Sequence, residues 1–159
     1  ALSTWRRVEK QSMPHTVLVA QRLMEGYQAA GRAPEGISLL KSYLAETASI
    51  DLLEILFKAV LKQEGAEAAN RLVHDELRRT PTLLGLDKLL EAQLLVVPPE
   101  IREDLSFVRT LVQRYAFRLS RYQCNHCGFE ARHYYWQCPG CHQWETYPPR
   151  RIEEMKLSS

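Results

Sequence analysis

The 159-residue sequence has no apolar run close to the roughly 18 residues that a membrane-spanning helix needs, and no signal-peptide pattern. A strong charge of one sign is also missing. The formal net charge of +2 is too small to indicate a nucleic acid or a membrane surface as the partner. There is no initiator methionine, and residues 1–8 resemble the middle of a helix. We therefore expect the C-terminal part of a longer protein, with any membrane anchor in the missing part.

Motifs that carry catalysis are absent as well. The sequence has no Gly-rich phosphate loop, no nucleophile elbow and no acid–base pair at a recognisable spacing. Acidic residues such as Glu9, Asp51, Asp75 and Asp87 are scattered, as expected for solvated helix faces. We predict that the chain is not an enzyme. The alternative is a catalytic domain, for example a sugar transferase, in the missing N-terminal part.

Residues 1–119 carry apolar residues at helical spacing, interrupted by turn signals. Pro14 and Pro34 both stand where a first-turn proline is tolerated in a helix. The pattern predicts three helical hairpins, over about 14–30 with 34–46, 50–63 with 66–79, and 82–97 with 100–119.

The turn markers of these hairpins are evenly spaced. Gly31, Gly65 and Pro99 follow one another at intervals of 34 residues. Two helices in a unit of this length are typical of tetratricopeptide repeats. Tyr27 and Gly36 also fit the large and small packing positions of that repeat. The prediction is an α-α superhelix of tetratricopeptide-like hairpins, and the alternative is a generic helical bundle.

The apolar residues of two helices predict how the array packs. Residues 50–61 are the most apolar stretch, which we expect at the centre of the core. In the last helix one stripe alternates spacings of four and three: Ile101, Leu105, Val108, Val112, Tyr115 and Leu119. Three further apolar residues lie off that stripe: Phe107, Leu111 and Phe117. We predict that a second domain packs on these three.

All four cysteines fall between positions 124 and 141, at the spacing C-x2-C-x10-C-x2-C. Two residues between cysteines allow one tight turn to present both sulfurs to one ion, and Gly128 and Pro139-Gly140 suit such turns. Two such turns facing each other complete a tetrahedral four-thiolate site with no open position. We predict that one ion, zinc or iron, is bound by Cys124, Cys127, Cys138 and Cys141.

Other uses of these residues remain as alternatives. The cysteines could form two disulfides, or His126 or His142 could replace a cysteine as ligand. We expect both histidines to be exposed, and we assign no role to His15, His74 and His133.

A ribbon of this size has little apolar surface to bury, so we expect the metal to contribute much of its stability. We predict that the apolar shell comes from five aromatic residues: Phe129, Tyr134, Tyr135, Trp136 and Trp144.

Nucleic-acid binding is a further alternative, since zinc ribbons often serve that purpose. Residues 118–151 contain five arginines and two glutamates. After the charge of four thiolates around a divalent ion, about +1 remains, which is a weak footprint for phosphate binding. Aromatic stacking on bases would be needed instead.

Helical hairpins that run directly into RYQCNHCGF and then YWQCPGCHQW resemble the lipopolysaccharide assembly protein B (LapB) family of Gram-negative bacteria. The similarity covers the whole chain as a C-terminal portion and is greatest over residues 118–145. It implies a rubredoxin-type metal ribbon, and only the four cysteines carry over, as metal ligands. The resulting division is 1–119 helical repeats, 120–148 ribbon and 149–159 tail.

The resemblance also implies a function that the residue chemistry does not supply. Members of the family act as non-enzymatic adaptors on the cytoplasmic side of the inner membrane, held there by an N-terminal anchor absent from this chain. They work with a membrane-bound, ATP-dependent protease of the FtsH type to promote degradation of the deacetylase that commits precursors to lipid A. Other lipopolysaccharide assembly proteins are further expected partners, and nucleic acid is not.

A rubredoxin-like electron carrier is the alternative from a different class, because four thiolates suit iron as well as zinc. Against it, such a carrier gains nothing obvious from fusion to a protein-binding scaffold.

Overall fold

The computed structural model describes residues 3–4, 7 and 11–157. Most of the expected helix at the start of the chain, and Glu9, lie outside these residues. The described part contains a 3-10 turn, Met13–His15, and a two-stranded sheet. It also contains seven helices: α1 Thr16–Ala29, α2 Ala33–Glu46, α3 Ile50–Glu64, α4 Ala66–Arg79, α5 Leu83–Leu94, α6 Pro99–Ala116 and α7 Ile152–Leu157.

Helices α1 to α6 form three successive hairpins. Each helix packs against the next, and the first helix of each hairpin also contacts the first helix of the following one. This stacking, with the small C-terminal ribbon, confirms the predicted fold class. Helix α5 ends at Leu94, three residues earlier than predicted, because Pro98 disfavours a helical conformation at Val97.

Glycines and hydroxyl side chains set the ends of the helices. Gly31 and Gly65 have φ angles of 67° and 93°, a region that other residues rarely adopt, and each ends the first helix of a hairpin. Ser49 and Thr82 cap α3 and α5 by accepting hydrogen bonds from the N–H groups of Leu52 and Gly85. The turn positions predicted from the sequence are therefore confirmed here.

The core lies along α3, as expected from its apolar sequence. Leu52, Leu53, Leu56, Phe57 and Val60 are buried there. In the first hairpin α1 and α2 approach closely at the predicted small residue. A Cβ atom at Gly36 would lie 2.8 Å from the Cβ of Tyr27, so no larger side chain fits without a shift of the helices.

Helix α6 differs from the prediction of one buried stripe. The stripe divides into two rows, because at 100° per residue a step of four residues turns the side chain by about +40° and a step of three by about −60°. Leu105 and Val112 are half-buried, as is Leu119, which lies in the turn after the helix because α6 ends at Ala116 and not near residue 119 as predicted. The other row, Ile101, Val108 and Tyr115, is 50%, 44% and 77% exposed. Phe107 is 64% exposed, so the prediction that the ribbon covers it is wrong.

The ribbon lies instead near the N-terminal end of α3. The hydroxyl of Tyr122 donates to Oδ2 of Asp51 over 3.0 Å, and the Arg151 guanidinium donates to both oxygens of the same carboxylate over 2.9 and 2.5 Å. The Arg151 guanidinium also lies 4.1 Å from the centre of the Tyr122 ring. Asp51 is thus an anchor for the ribbon, and the prediction of a merely solvated carboxylate is wrong.

Helix α7 joins the ribbon to the starts of two helices. Glu154 accepts a hydrogen bond of 2.6 Å from the N–H of Ile50, the first residue of α3. Glu153 accepts hydrogen bonds of 2.5 and 2.9 Å from the N–H groups of Leu83 and Leu84, the first two residues of α5. A carboxylate at a helix N-terminus accepts hydrogen bonds from backbone N–H groups that lack a partner within the helix. Its negative charge also interacts favourably with the helix dipole. The sequence prediction assigned no structure to these residues.

Among the described residues no helix combines the length and the apolar character that crossing a membrane requires.

Candidate metal centre

The first cysteine turn follows strand β1, Tyr122–Gln123, which pairs antiparallel with β2, Glu130–Ala131. Between the strands the N–H of Gly128 donates to the carbonyl of Cys124 over 2.9 Å, and the N–H of Cys124 donates to the carbonyl of Phe129 over 3.0 Å. Gly128 has a φ of 76°, a conformation that glycine adopts without strain. The turn holds Cys124 and Cys127 on one side.

The second cysteine turn repeats this pattern. The N–H of His142 donates to the carbonyl of Cys138 over 2.9 Å, and the N–H of Cys138 donates to the carbonyl of Gln143 over 2.9 Å. His142 stands where the first turn has Gly128 and has a φ of 59°. The N–H of Gly140 also donates to the Cys138 sulfur over 3.3 Å, as expected for a turn built to stabilise a thiolate.

The two turns bring all four sulfurs together, within 4.8 Å of one another. The Cys124 and Cys141 sulfurs are 3.8 Å apart, and those of Cys127 and Cys138 are 3.6 Å apart. Sulfurs bound at about 2.3 Å around a tetrahedral ion are about 3.8 Å apart, so these separations fit one ion. They are too long for disulfide bonds, and all four cysteines are free. The chain therefore has one tetrahedral metal site.

The electrostatics of the site also fit a cation. Burial raises the pKa of the Cys124 thiol, but hydrogen bonds from the Thr146 hydroxyl and two backbone N–H groups outweigh it and lower the pKa to about 6. At Cys141 the Gln143 N–H lowers the pKa, yet partial burial and the neighbouring sulfurs raise it to about 12. The first thiolate therefore forms easily, whereas the last requires a positive charge among the sulfurs.

Two residues outside the cysteine motif support the cysteines. Oγ1 of Thr146 lies 3.1 Å from the Cys124 sulfur. The buried Tyr147 donates its hydroxyl proton to the carbonyl of Phe129 over 3.1 Å and lies 4.0 Å from the Cys138 sulfur. Burial, followed by the neighbouring sulfurs, raises the Tyr147 pKa, so the hydroxyl stays protonated and able to donate.

The apolar shell of the ribbon is smaller than predicted. Its buried residues are Tyr122, Ala131 and Tyr147 beside Cys124 and Cys138, with Tyr134 packed against them. The prediction is wrong for four aromatic residues, which are between 39% and 66% exposed: Phe129, Tyr135, Trp136 and Trp144. Tyr122 has a signal in the sequence, because side chains alternate between the two faces of a strand. Tyr122 lies two residues before Cys124 and therefore shares its face. No comparable signal marks Tyr147.

Histidines take no part in the sulfur cluster. His126 and His142 are exposed, as predicted, and the cysteines are the sole metal-binding group of His, Cys, Asp or Glu found in the described part of the chain. His15 does have a contact: its ring stacks on Trp136 with the ring centres 5.9 Å apart. The prediction that His15 has no role is therefore wrong, since it joins the array to the ribbon.

Comparison with known proteins supports this description. Residues 122–149 match a family model described as the rubredoxin metal binding domain. Over 152 residues, 95% of this chain, the sequence is 29% identical to Lipopolysaccharide assembly protein B of Escherichia coli strain K12, and equally to that of strain O157:H7. The resemblance to the LapB family is confirmed.

The match covers only part of the length of each relative. This chain spans 39% of the length of the E. coli LapB proteins. The LapB protein of Haemophilus influenzae is 26% identical over 100 residues, which cover 62% of this chain and 25% of that protein.

Proposed function

We propose that this chain belongs to a non-enzymatic adaptor that regulates lipopolysaccharide biosynthesis. In this proposal the adaptor presents the committed-step deacetylase of lipid A synthesis to a membrane-bound protease of the FtsH type, which degrades it. The observation that supports the proposal most is the similarity to LapB over 95% of the chain, together with a ribbon joined to the repeats by the half-buried Arg151–Asp51 ion pair. An adaptor needs a surface of fixed shape, and stacked hairpins provide one.

The metal site has a structural part in this proposal. Cys124, Cys127, Cys138 and Cys141 are the proposed ligands, and the ion supplies the positive charge that lets four thiolates stand together. The division into repeats over 1–119, ribbon over 120–148 and tail over 149–159 is retained, with the tail helix as the link between the other two. Asp51 and Arg151 hold the ribbon in one orientation.

The location and partners follow from the same proposal. The adaptor lies on the cytoplasmic side of the inner membrane, held by an anchor N-terminal to this chain. Its partners are the protease, the deacetylase and other lipopolysaccharide assembly proteins, reached through the repeats. Nucleic acid is not a partner, because the ribbon carries little net positive charge.

The test measures the lifetime of the deacetylase in Gram-negative cells depleted of their own LapB. The longer protein that contains this chain should restore rapid degradation, followed by immunoblotting after protein synthesis is blocked. Arg151→Ala should restore it poorly, because the ribbon region loses its ion pair with Asp51. Arg22→Ala, which removes only an exposed ion pair on α1, is the control and should act as the unchanged protein does. A long deacetylase lifetime with the unchanged, well-expressed protein would contradict the proposal.

Electron transfer through an iron centre is the second candidate. The observation in its favour is that Cys127 is exposed, which brings one sulfur of the cluster to the surface. Freshly purified protein would then be coloured and would undergo reversible one-electron reduction. A colourless zinc protein that restores deacetylase degradation would remove this candidate.

A further inference from the structure

We propose that the exposed side of α6 pairs with the same helix of a second copy of this chain, in antiparallel orientation. The pairing surface consists of Ile101, Val108, Leu111 and Tyr115. Three of these side chains are between 44% and 77% exposed, although each is apolar or aromatic. Their spacings of seven, three and four residues are those of a seam between two helices.

The surface is distinct from the face that α6 turns towards its own chain. Helix α6 packs against α5. On that side Arg109 donates to Asp87 over 2.9 Å and to Glu91 over 3.0 Å. Leu105 and Val112 are half-buried on the same side. The pairing surface lies away from that side, about 80–160° around the helix from Arg109 at 100° per residue.

The charges of α6 argue for a second copy as the occupant and for the antiparallel orientation. The first part of the helix carries Glu100, Glu103 and Asp104 with one arginine. The rest of the helix, residues 105–116, has no acidic residue and two arginines: Arg109, which is paired on the other side, and the exposed Arg114. Two parallel copies would place like charges side by side. Two antiparallel copies place the acidic end of each helix along the basic end of the other.

The pairing of Val108 with Leu111 at the centre of the surface sets the register. When Val108 of one copy meets Leu111 of the other, Asp104 lies within about 1.5 Å, along the helix axis, of Arg114 of the second copy. Both side chains are exposed in the single chain and are therefore available. The surface between two single helices is small, so the dimer should have micromolar rather than nanomolar affinity.

Sedimentation velocity of the metal-loaded chain over a range of concentrations tests the proposal. The chain should pass from monomer to dimer, and Val108→Asp should weaken the association about tenfold or more. Thr110→Asp is the matched control, because it adds the same charge on the exposed opposite side of α6 and should leave the dimer intact. Circular dichroism melting confirms that each variant is folded.

Charge exchange tests the orientation. Asp104→Arg alone and Arg114→Asp alone should each self-associate more weakly, since each places like charges together. An equal mixture of the two should recover the association, because every facing pair then has opposite signs. A mixture that stays as weak as the single variants would overturn the antiparallel arrangement. A chain that is monomeric up to about 500 µM would overturn the pairing itself, as would binding of anionic phospholipid vesicles by a chain that never self-associates.

Discussion

Replacement of Arg151 by alanine should weaken the attachment of the ribbon to the helical array without altering the metal site. Arg151 donates to both oxygens of Asp51, to the carbonyl of Ser120 over 2.6 Å, and lies over the Tyr122 ring. The variant leaves the Asp51 carboxylate with the Tyr122 hydroxyl as its remaining partner in this group. The metal ligands are not changed.

The size of the effect follows from the burial of the pair. Removing one partner of a fully buried ion pair costs about 3–5 kcal/mol, since an uncompensated charge is left behind. The side chains of Arg151 and Asp51 are 20% and 24% exposed, so water screens part of this interaction. We therefore expect Arg151→Ala to lower the free energy of unfolding by about 2–3 kcal/mol.

The assay is urea unfolding of the metal-loaded protein, followed by tryptophan fluorescence. Trp136 and Trp144 lie in the ribbon and report on its environment. A double-mutant cycle with Asp51→Asn should give a coupling energy of at least about 1 kcal/mol. Arg118→Ala is the control, because its ion pair with Glu130 is in the same region but 77% exposed at the arginine, and it should have no measurable effect. A coupling energy near zero for the Arg151–Asp51 pair would refute the reasoning.

Three other perturbations give expected outcomes from the geometry. Chelation of the metal, or Cys124→Ser, should unfold the ribbon, seen as a lower melting temperature and greater aggregation; equal melting with and without chelator would contradict the coupling of metal to fold. Gly36→Ala should destabilise the first hairpin by about 1–3 kcal/mol in urea, because the added methyl overlaps Tyr27. Burial raises the pKa of Glu54, but hydrogen bonds from Lys88 and Lys58 outweigh it and lower the pKa. Stability from Glu54 is thus present above its ordinary pKa near 4.5 and lost as the pH falls further, so Glu54→Gln should flatten the acid limb of a plot of stability against pH.

Local chemistry explains why much of the fold was predictable from the sequence. Gly31 and Gly65 mark turns because few other residues adopt their φ angles, and a strongly apolar helix such as α3 has to lie in the core. The spacing of the cysteines is similarly informative, since two residues between sulfurs fix a turn without help from the rest of the chain. These signals act over a few residues and need no knowledge of tertiary contacts.

The attachment of the ribbon depends on distant residues, and there the sequence was less informative. Asp51 and Arg151 are 100 residues apart, and neither stands in a motif that indicates the other. Phe107 was expected beneath the ribbon because it is aromatic and off the main stripe. The chain after α6 instead brings Tyr122 to Asp51 at the start of α3, and Phe107 stays in solvent. A pattern along one helix indicates which residues are apolar but not which neighbour will cover them.

The neighbouring carboxylates of α7 have a consequence for the angle between the second and third hairpins. Consecutive side chains in a helix diverge by about 100°, which lets Glu153 reach the start of α5 while Glu154 reaches the start of α3. Helices α3 and α5 are the first helices of successive hairpins. The two glutamates therefore hold these helices at a fixed distance, which sets the angle between one repeat and the next. One extra residue between the two glutamates would turn one of them away and leave that joint of the superhelix free to bend.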